Sequence, residues 1–191
     1  PPPLGCGAGL RERAPRRPPA GELPQTLVLP ERPGQNRIPW YEFDWRAYEV
    51  PPPGGGPGGI RLYHYRQERA VAERALPVIR NAFVRLVDRF RYSPTKAIPY
   101  ILYSSKREFQ STNVFQVSES VLGVTSPQDL KMSLPYFGSQ ERFREVSTHE
   151  LVHQFTVQKL LDIAGADHLL SLVETLPLWF VEGLAEYYTH G

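Results

Sequence analysis

The pentapeptide His149-Glu150-Leu151-Val152-His153 constrains this chain more than any other feature. On a helix, residues four apart lie about 6 Å apart on one face, so the two imidazoles can bind one Zn²⁺ at roughly 2.0–2.1 Å. Glu150 then projects beside the metal, where a base must stand to take a proton from water. By chance this motif is expected roughly 0.01 times in such a chain, so it favours a metal site over a helix with two surface histidines.

The surrounding sequence predicts a long helix from Ser139 to Ala164, with Gly165 as its C-cap. Its apolar positions are Phe143, Val146, Leu151, Val152, Phe155, Leu160 and Leu161. A helix this apolar is expected to be buried, and unpaired histidines and a glutamate within it would carry a desolvation cost. A bound metal removes that objection.

A second helix is predicted from Pro177 to about Thr189, because proline suits the first turn of a helix. Trp179, Glu182 and Glu186 share one face of it. A catalytic zinc takes three protein ligands, and Glu182 is the predicted third ligand. Glu186, one turn on, either accepts the free ring N–H of His149 from the second shell or is a solvated surface acid.

The two motifs together resemble those of the gluzincins, and more closely the MA-like bacterial zinc metallopeptidases. The matching segments are residues 149–153 and Leu178-Trp179-Phe180-Val181-Glu182-Gly183-Leu184-Ala185-Glu186-Tyr187. The resemblance implies His149, His153 and Glu182 as ligands of one zinc ion per chain and Glu150 as general base in peptide-bond hydrolysis. It also implies a bacterial secreted, periplasmic or cell-envelope location and a peptide or protein substrate.

The fold implied by the resemblance is α+β, the upper subdomain of a zincin. A small mixed or antiparallel sheet, with an edge strand, would pack on the active-site helix and the third-ligand helix. In that family the last strand before the ligand helix is an exposed edge that binds the substrate backbone. Here it would be about Asp129–Pro135, with Lys131, Met132, Ser133 and Leu134 as substrate contacts; an ordinary edge strand is the alternative.

Two features near the third ligand leave alternatives open. The spacer from His153 to Glu182 is 29 positions, longer than in the best-known gluzincins. It has room for an extra short helix around 167–174, and it makes Glu174 a competing carboxylate, although Glu174 lacks the flanking motif. Gly183 either permits close approach of the two helices or is a plain packing glycine.

Periodicity and turn signals predict the remaining elements. Strands are expected at Ile60–Tyr65, Ile98–Tyr103, Val121–Thr125 and Leu130–Leu134, and helices at Glu68–Phe90 and Ser104–Gln110. The strand at Ile98–Tyr103 is almost continuously apolar and is therefore expected to be central. His64, within the first strand, is interpreted as structural and not as a metal ligand.

Proline and glycine divide the chain. Half of its 20 prolines precede Trp40, so residues 1–59 are predicted to be an extended N-terminal segment and linker, and 60–191 the zincin-like domain.

An oxyanion-stabilising group usually follows the third ligand, but Tyr187, Tyr188 and His190 have no supporting motif. Further C-terminal domains of the same polypeptide are therefore expected.

Composition bounds the partners. The net charge of +2 gives no general attraction to nucleic acid, and the absence of a long apolar run predicts no membrane span. Cys6 is the single cysteine, so no internal disulfide can form, and no signal peptide is visible in this chain. The competing hypothesis is a non-catalytic zincin-fold binding or scaffold module of a larger envelope protein.

Overall fold

The computed structural model describes residues 44–112, 121–127 and 130–190, with the backbone alone at 111 and 112. These residues form an α+β fold with one five-stranded mixed sheet and five α-helices. The predicted α+β class is confirmed at that level. Predictions about Cys6 and the proline-rich segment before Asp44 lie outside the described residues.

The sheet contains both parallel and antiparallel pairs. Its strands are β1 (Trp45–Val50), β2 (Ile60–Tyr65), β3 (Ile98–Tyr103), β4 (Val124–Ser126) and β5 (Lys131–Pro135). Their order across the sheet is β1-β2-β3-β5-β4. Strands β2, β3 and β5 run parallel, whereas β1 is antiparallel to β2 and β4 is antiparallel to β5. The predicted bounds of β2 and β3 and the central place of β3 are confirmed.

The expectation that Asp129–Pro135 forms the edge of the sheet is wrong. β5 is an inner strand, since it pairs with β3 on one side and β4 on the other. Met132, Ser133 and Leu134 are buried, and Lys131 is half-buried. The outermost described strand on this side is β4, so the predicted substrate contacts on β5 have no open backbone edge to offer.

The sequence patterns do not predict β1, which pairs with β2 over its whole length from Trp45↔Tyr65 to Val50↔Ile60. The sheet therefore begins among residues assigned to the N-terminal segment. Aromatic residues on β1 hold it there: Trp45 contacts Tyr65 with ring centroids 4.4 Å apart, and Tyr48 stacks on His64 at 5.3 Å. His64 is buried in this packing, with its Nδ1 2.7 Å from the carbonyl oxygen of Tyr65, which suits the structural role predicted for it.

The helices lie close to their predicted positions. They are α1 (Arg69–Phe90), α2 (Lys106–Thr112), α3 (Gln140–Ala164), α4 (Ala166–Thr175) and α5 (Leu178–His190). Ser139 caps α3 by accepting the N–H of Arg142 at 3.3 Å. Gly165 ends α3 with φ +80°, a conformation that favours glycine, and α4 begins at the next residue. The extra short helix expected in the spacer is therefore present.

The main core lies between the sheet and the helices α1 and α3. Alternate residues of β3, Ile98, Tyr100 and Leu102, point into it. Phe155 of α3 meets Phe83 and Phe90 of α1 with ring centroids 5.6 and 5.4 Å apart. Fully burying one such side chain contributes about 1.5–3 kcal/mol, so this contact fixes α3 firmly against the domain.

The opposite face of the sheet carries a smaller aromatic cluster of Trp45, Tyr65, Tyr103 and Phe109, the last supplied by α2.

Within the described residues, no helix combines the length and the apolar composition needed to cross a bilayer. Helix α3 packs on the core with its buried face, and another face of this helix contacts α5.

Candidate metal centre

Helix α3 presents His149 and His153 side by side. Their ring centroids are 4.8 Å apart and their planes meet at 83°. Both side chains are mostly buried, with exposed fractions of 21% and 14%. The helical spacing of the motif thus brings the two imidazoles together as the sequence predicts.

Helix α5 brings the carboxylate of Glu182 to these two rings. Its Oε2 lies 3.1 Å from Nε2 of His149, and its Oε1 lies 3.7 Å from Nε2 of His153. One ligand atom from each residue lies within 4.8 Å of the others. Ligands bound to zinc at about 2.0–2.1 Å in a tetrahedron are separated by roughly 3.3 Å, so this group fits one zinc-sized ion with small side-chain adjustments.

The protonation of His153 favours metal binding. Burial lowers its pKa to about 4, with a further contribution from His149 and partial opposition from Glu182. The imidazole is therefore neutral at pH 7, and a neutral imidazole has the lone pair that a metal requires. A histidine held neutral beside a carboxylate is an arrangement that suits a ligand.

Glu186 occupies the position predicted for a partner of His149. Its Oε1 lies 3.3 Å from Nδ1 of His149, and its Oε2 lies 3.2 Å from Nε2 of His190. Because Nε2 of the same ring faces Glu182, a proton on Nδ1 would leave Nε2 free for a metal. The geometry is compatible with Glu186 accepting the Nδ1 proton of His149, which stays a prediction.

The structure supports neither of the alternatives left open near Glu182. Glu174 lies on α4 and is exposed, and among the described residues it does not join the group of potential metal ligands. A Cβ atom built on Gly183 would meet nothing within 4 Å, so neither close helix approach nor local packing requires glycine there. Both interpretations of Gly183 are wrong.

Glu150 is held beside His149, His153 and Glu182 by β4, the outermost strand on this side among the described residues. Thr125 donates its hydroxyl to Oε2 of Glu150 at 2.7 Å. The glutamate is only 8% exposed, and this burial raises its pKa, while the hydrogen bond from Thr125 opposes the rise. A raised pKa brings a carboxylate nearer to the range in which it can accept and return a proton at neutral pH.

Gly123, just before β4, makes room for the same carboxylate. A Cβ atom at this position would lie 2.7 Å from Oε1 and 2.8 Å from Cγ of Glu150. Any other residue would therefore displace Glu150 or the strand. Together, Gly123 and Thr125 fix where the carboxylate stands.

Sequence reasoning did not identify Gly123 or Thr125 as site residues. A glycine beside a short strand can signal the close approach of another group, and that is the one available hint. Which group approaches cannot be read from the sequence, because Glu150 is 25 residues from Thr125.

The three candidates for an oxyanion-stabilising group have other contacts. Tyr188 stacks on Phe90 with ring centroids 4.2 Å apart, and the guanidinium carbon of Arg89 lies 5.5 Å from the centroid of the Tyr187 ring. His190 contacts Glu186, as described above. Among the described residues, none of the three lines the cavity beside His149, His153 and Glu182.

Comparisons with protein-family models, with curated proteins and with solved structures find no significant match to this chain. The site is therefore interpreted from its own residues and geometry, and the gluzincin resemblance rests on the two motifs.

Proposed function

We propose that this chain is a zinc-dependent peptidase of the gluzincin type. The observation that supports the proposal most strongly is the convergence of His149, His153 and Glu182, from two helices, with Glu150 buried beside them. Two imidazoles and one carboxylate form a ligand set used by catalytic zinc, which keeps its fourth position open. We also propose that the mixed sheet and the two ligand helices are the upper subdomain of a zincin.

Each residue has a part in the proposed hydrolysis. Zinc bound here would supply a Lewis acid that polarises the scissile carbonyl and makes water a better nucleophile. Glu150 accepts the proton of the attacking water and delivers it to the leaving amine. Thr125 keeps the carboxylate oriented, and Glu186 holds His149 in the tautomer that leaves Nε2 free.

The substrate backbone is proposed to lie along β4 and not along β5. β4 is the outermost described strand on its side of the sheet, and its Thr125 touches Glu150. A peptide added beside this strand would make main-chain hydrogen bonds and pass close to the base. Backbone recognition of this kind is largely independent of side chains, so selectivity must come from a neighbouring pocket.

We further propose a secreted, periplasmic or cell-envelope setting, with a peptide or protein substrate. This proposal follows from the resemblance of the two motifs to those of the MA-like bacterial zinc metallopeptidases.

Removal and return of zinc test the proposal directly. The purified protein is expected to bind about one zinc per chain, to lose peptide hydrolysis when a chelator removes the metal, and to regain it with stoichiometric zinc. Elemental analysis and cleavage of an unfolded protein followed by mass spectrometry are the measurements.

His168→Ala is a control variant for zinc loading, because it removes an exposed histidine on α4 that is outside the group of potential ligands. This variant should bind zinc as the wild type does. A wild-type protein without zinc after reloading would contradict the proposal, and so would hydrolysis that is unaffected by the chelator.

Removing the Thr125 hydroxyl should weaken catalysis without affecting the metal. Thr125→Val keeps the β-branched shape but loses the hydrogen bond to Glu150, so kcat is expected to fall about tenfold, corresponding to roughly 1–1.5 kcal/mol. Zinc content should not change, because Thr125 is not one of the potential ligands. KM should change little, because the proposed contacts of β4 with the peptide are made by main-chain groups.

Thr125→Ser is the matched control, since it restores the hydroxyl and should recover most of the lost kcat. Gly123→Ala should reduce kcat more strongly, because its Cβ overlaps the position of Glu150. Equal kcat in Thr125→Val and in the wild type would show that the hydrogen bond does not position the base.

A further inference from the structure

A cavity of about 380 Å³ opens directly beside the metal group. His149, Glu150, His153 and Glu182 form one part of its wall. Within the described residues, these four supply the only ionisable side chains of the lining. The remainder of the cavity is mostly apolar, so it differs in character from the polar site that it adjoins.

Helix α3 extends the site into this apolar part. Val157 and Leu160 lie one and two turns beyond His153 and therefore share its face of the helix. Both line the cavity. A substrate group bound next to His153 would therefore contact Val157 and Leu160 along the same face of α3.

Helix α4 contributes Val173 to the lining, and Leu176 directly follows this helix. Helix α5 adds Val181, which directly precedes Glu182. α4 is held in place by its own small core, in which Leu169 is buried against Val157 and Leu161. The segment between the second histidine and the third ligand, which makes the spacer long, thus builds a wall of this cavity.

We infer that this apolar cavity binds an aliphatic side chain of the substrate next to the cleaved bond. The inference rests on the proposed function and adds the class of side chain. An aliphatic side chain placed there leaves water for apolar surroundings, whereas a charged one would be buried away from any partner of opposite charge except the catalytic groups themselves. The volume of about 380 Å³, near the low end of the roughly 300–1,000 Å³ range for ligand sites, leaves room for an aliphatic side chain beside the catalytic groups.

Cleavage of blocked peptides acetyl-Ala-Ala-X-Ala-Ala-amide tests this selectivity, with X as Leu, Gly, Asp or Lys. The zinc-loaded protein should cut on one side of X, with kcat/KM for Leu at least about tenfold above that for Asp. Mass spectrometry of the products shows which bond is cut. Equal rates for Leu and Asp would overturn the pocket and leave the proposed function standing.

Binding gives a second measurement that needs no turnover. Zinc-loaded Glu150→Gln protein, titrated by calorimetry, should bind the Leu peptide at least about tenfold more tightly than the Asp peptide. Such binding with no hydrolysis by the wild type would overturn the proposed function while supporting the pocket. Equal binding of the two peptides would overturn the pocket.

Variants of α4 locate the selectivity. Val173→Asp places a carboxylate in the wall and should raise the rate for Lys relative to Leu at least about tenfold. Leu172→Asp is the matched control, since Leu172 is an exposed neighbour on the same helix outside the lining, and its peptide preference should equal that of the wild type.

Val173→Phe is a second variant that keeps the wall apolar if the buried charge prevents folding. It narrows the cavity and should lower the rate for Leu relative to Gly at least about tenfold. An unchanged preference in folded protein of this variant would overturn the assignment of α4 as the wall.

Discussion

Glu150→Gln is expected to keep about one zinc per chain and to lose nearly all turnover, with kcat lower by at least about 10²-fold and up to 10⁴-fold. The amide has nearly the same shape as the carboxylate and can still accept the hydroxyl of Thr125, which lies 2.7 Å away in the wild type. It cannot accept a proton from water. The variant therefore removes the proposed base and little else.

Zinc analysis and steady-state kinetics on the same preparation make this result decisive. Glu145→Gln is a matched control, because Glu145 lies on the same helix outside the ligand group and pairs at the surface with Arg142 at 3.7 Å. Its kcat should equal that of the wild type. Undiminished turnover in Glu150→Gln would remove the mechanism.

The same experiment separates the enzyme from the competing binding or scaffold module. A module that retains zinc without catalysis would show no hydrolysis that depends on Glu150. The structure supplies a reason to favour the enzyme: two features of the β4 region, the hydroxyl of Thr125 and the missing side chain of Gly123, act on this one carboxylate. A glutamate without a functional role would be destabilised by such placement, since burial raises its pKa and disfavours its charged form.

Local features of the chain were predictable because local rules determine them. The bounds of α3 follow from the Ser139 cap, the apolar periodicity and Gly165, and the structure has each of these. The neighbouring positions of His149 and His153 follow from helical geometry alone. Predicting that Glu182 lies beside the two histidines also required that a second helix packs on the first. The motif around Glu182 indicated that packing.

Features that depend on strand order were not predictable in the same way. An inner strand and an outer strand can carry similar apolar runs, so the sequence pattern does not show that β5 lies between β3 and β4. The pattern of β1 does not indicate a strand, because apolar and polar residues alternate poorly along it and it follows a proline-rich segment. The contact of Thr125 with Glu150 exists only once β4 takes the outer position.

Replacing Glu182 should have the largest effect on the metal itself. Glu182→Ala removes one of three ligands and leaves two imidazoles, so the zinc dissociation constant is expected to rise by more than about 100-fold. Glu186→Ala should raise it by about 10–100-fold, the usual cost of losing a group that orients a ligand histidine. Glu174→Ala should leave it unchanged.

Competition with a chromophoric chelator measures the three zinc affinities on one scale. The order of the three zinc affinities is informative because the carboxylates differ in their contacts with His149 and His153. Glu182 contacts both histidines, and Glu186 contacts only Nδ1 of His149 among these two rings. Glu174 is exposed on α4. Tight zinc in Glu182→Ala would show that the third ligand is wrong. A loss in Glu174→Ala would then assign the role to α4, which would have to move towards the histidines when the metal binds.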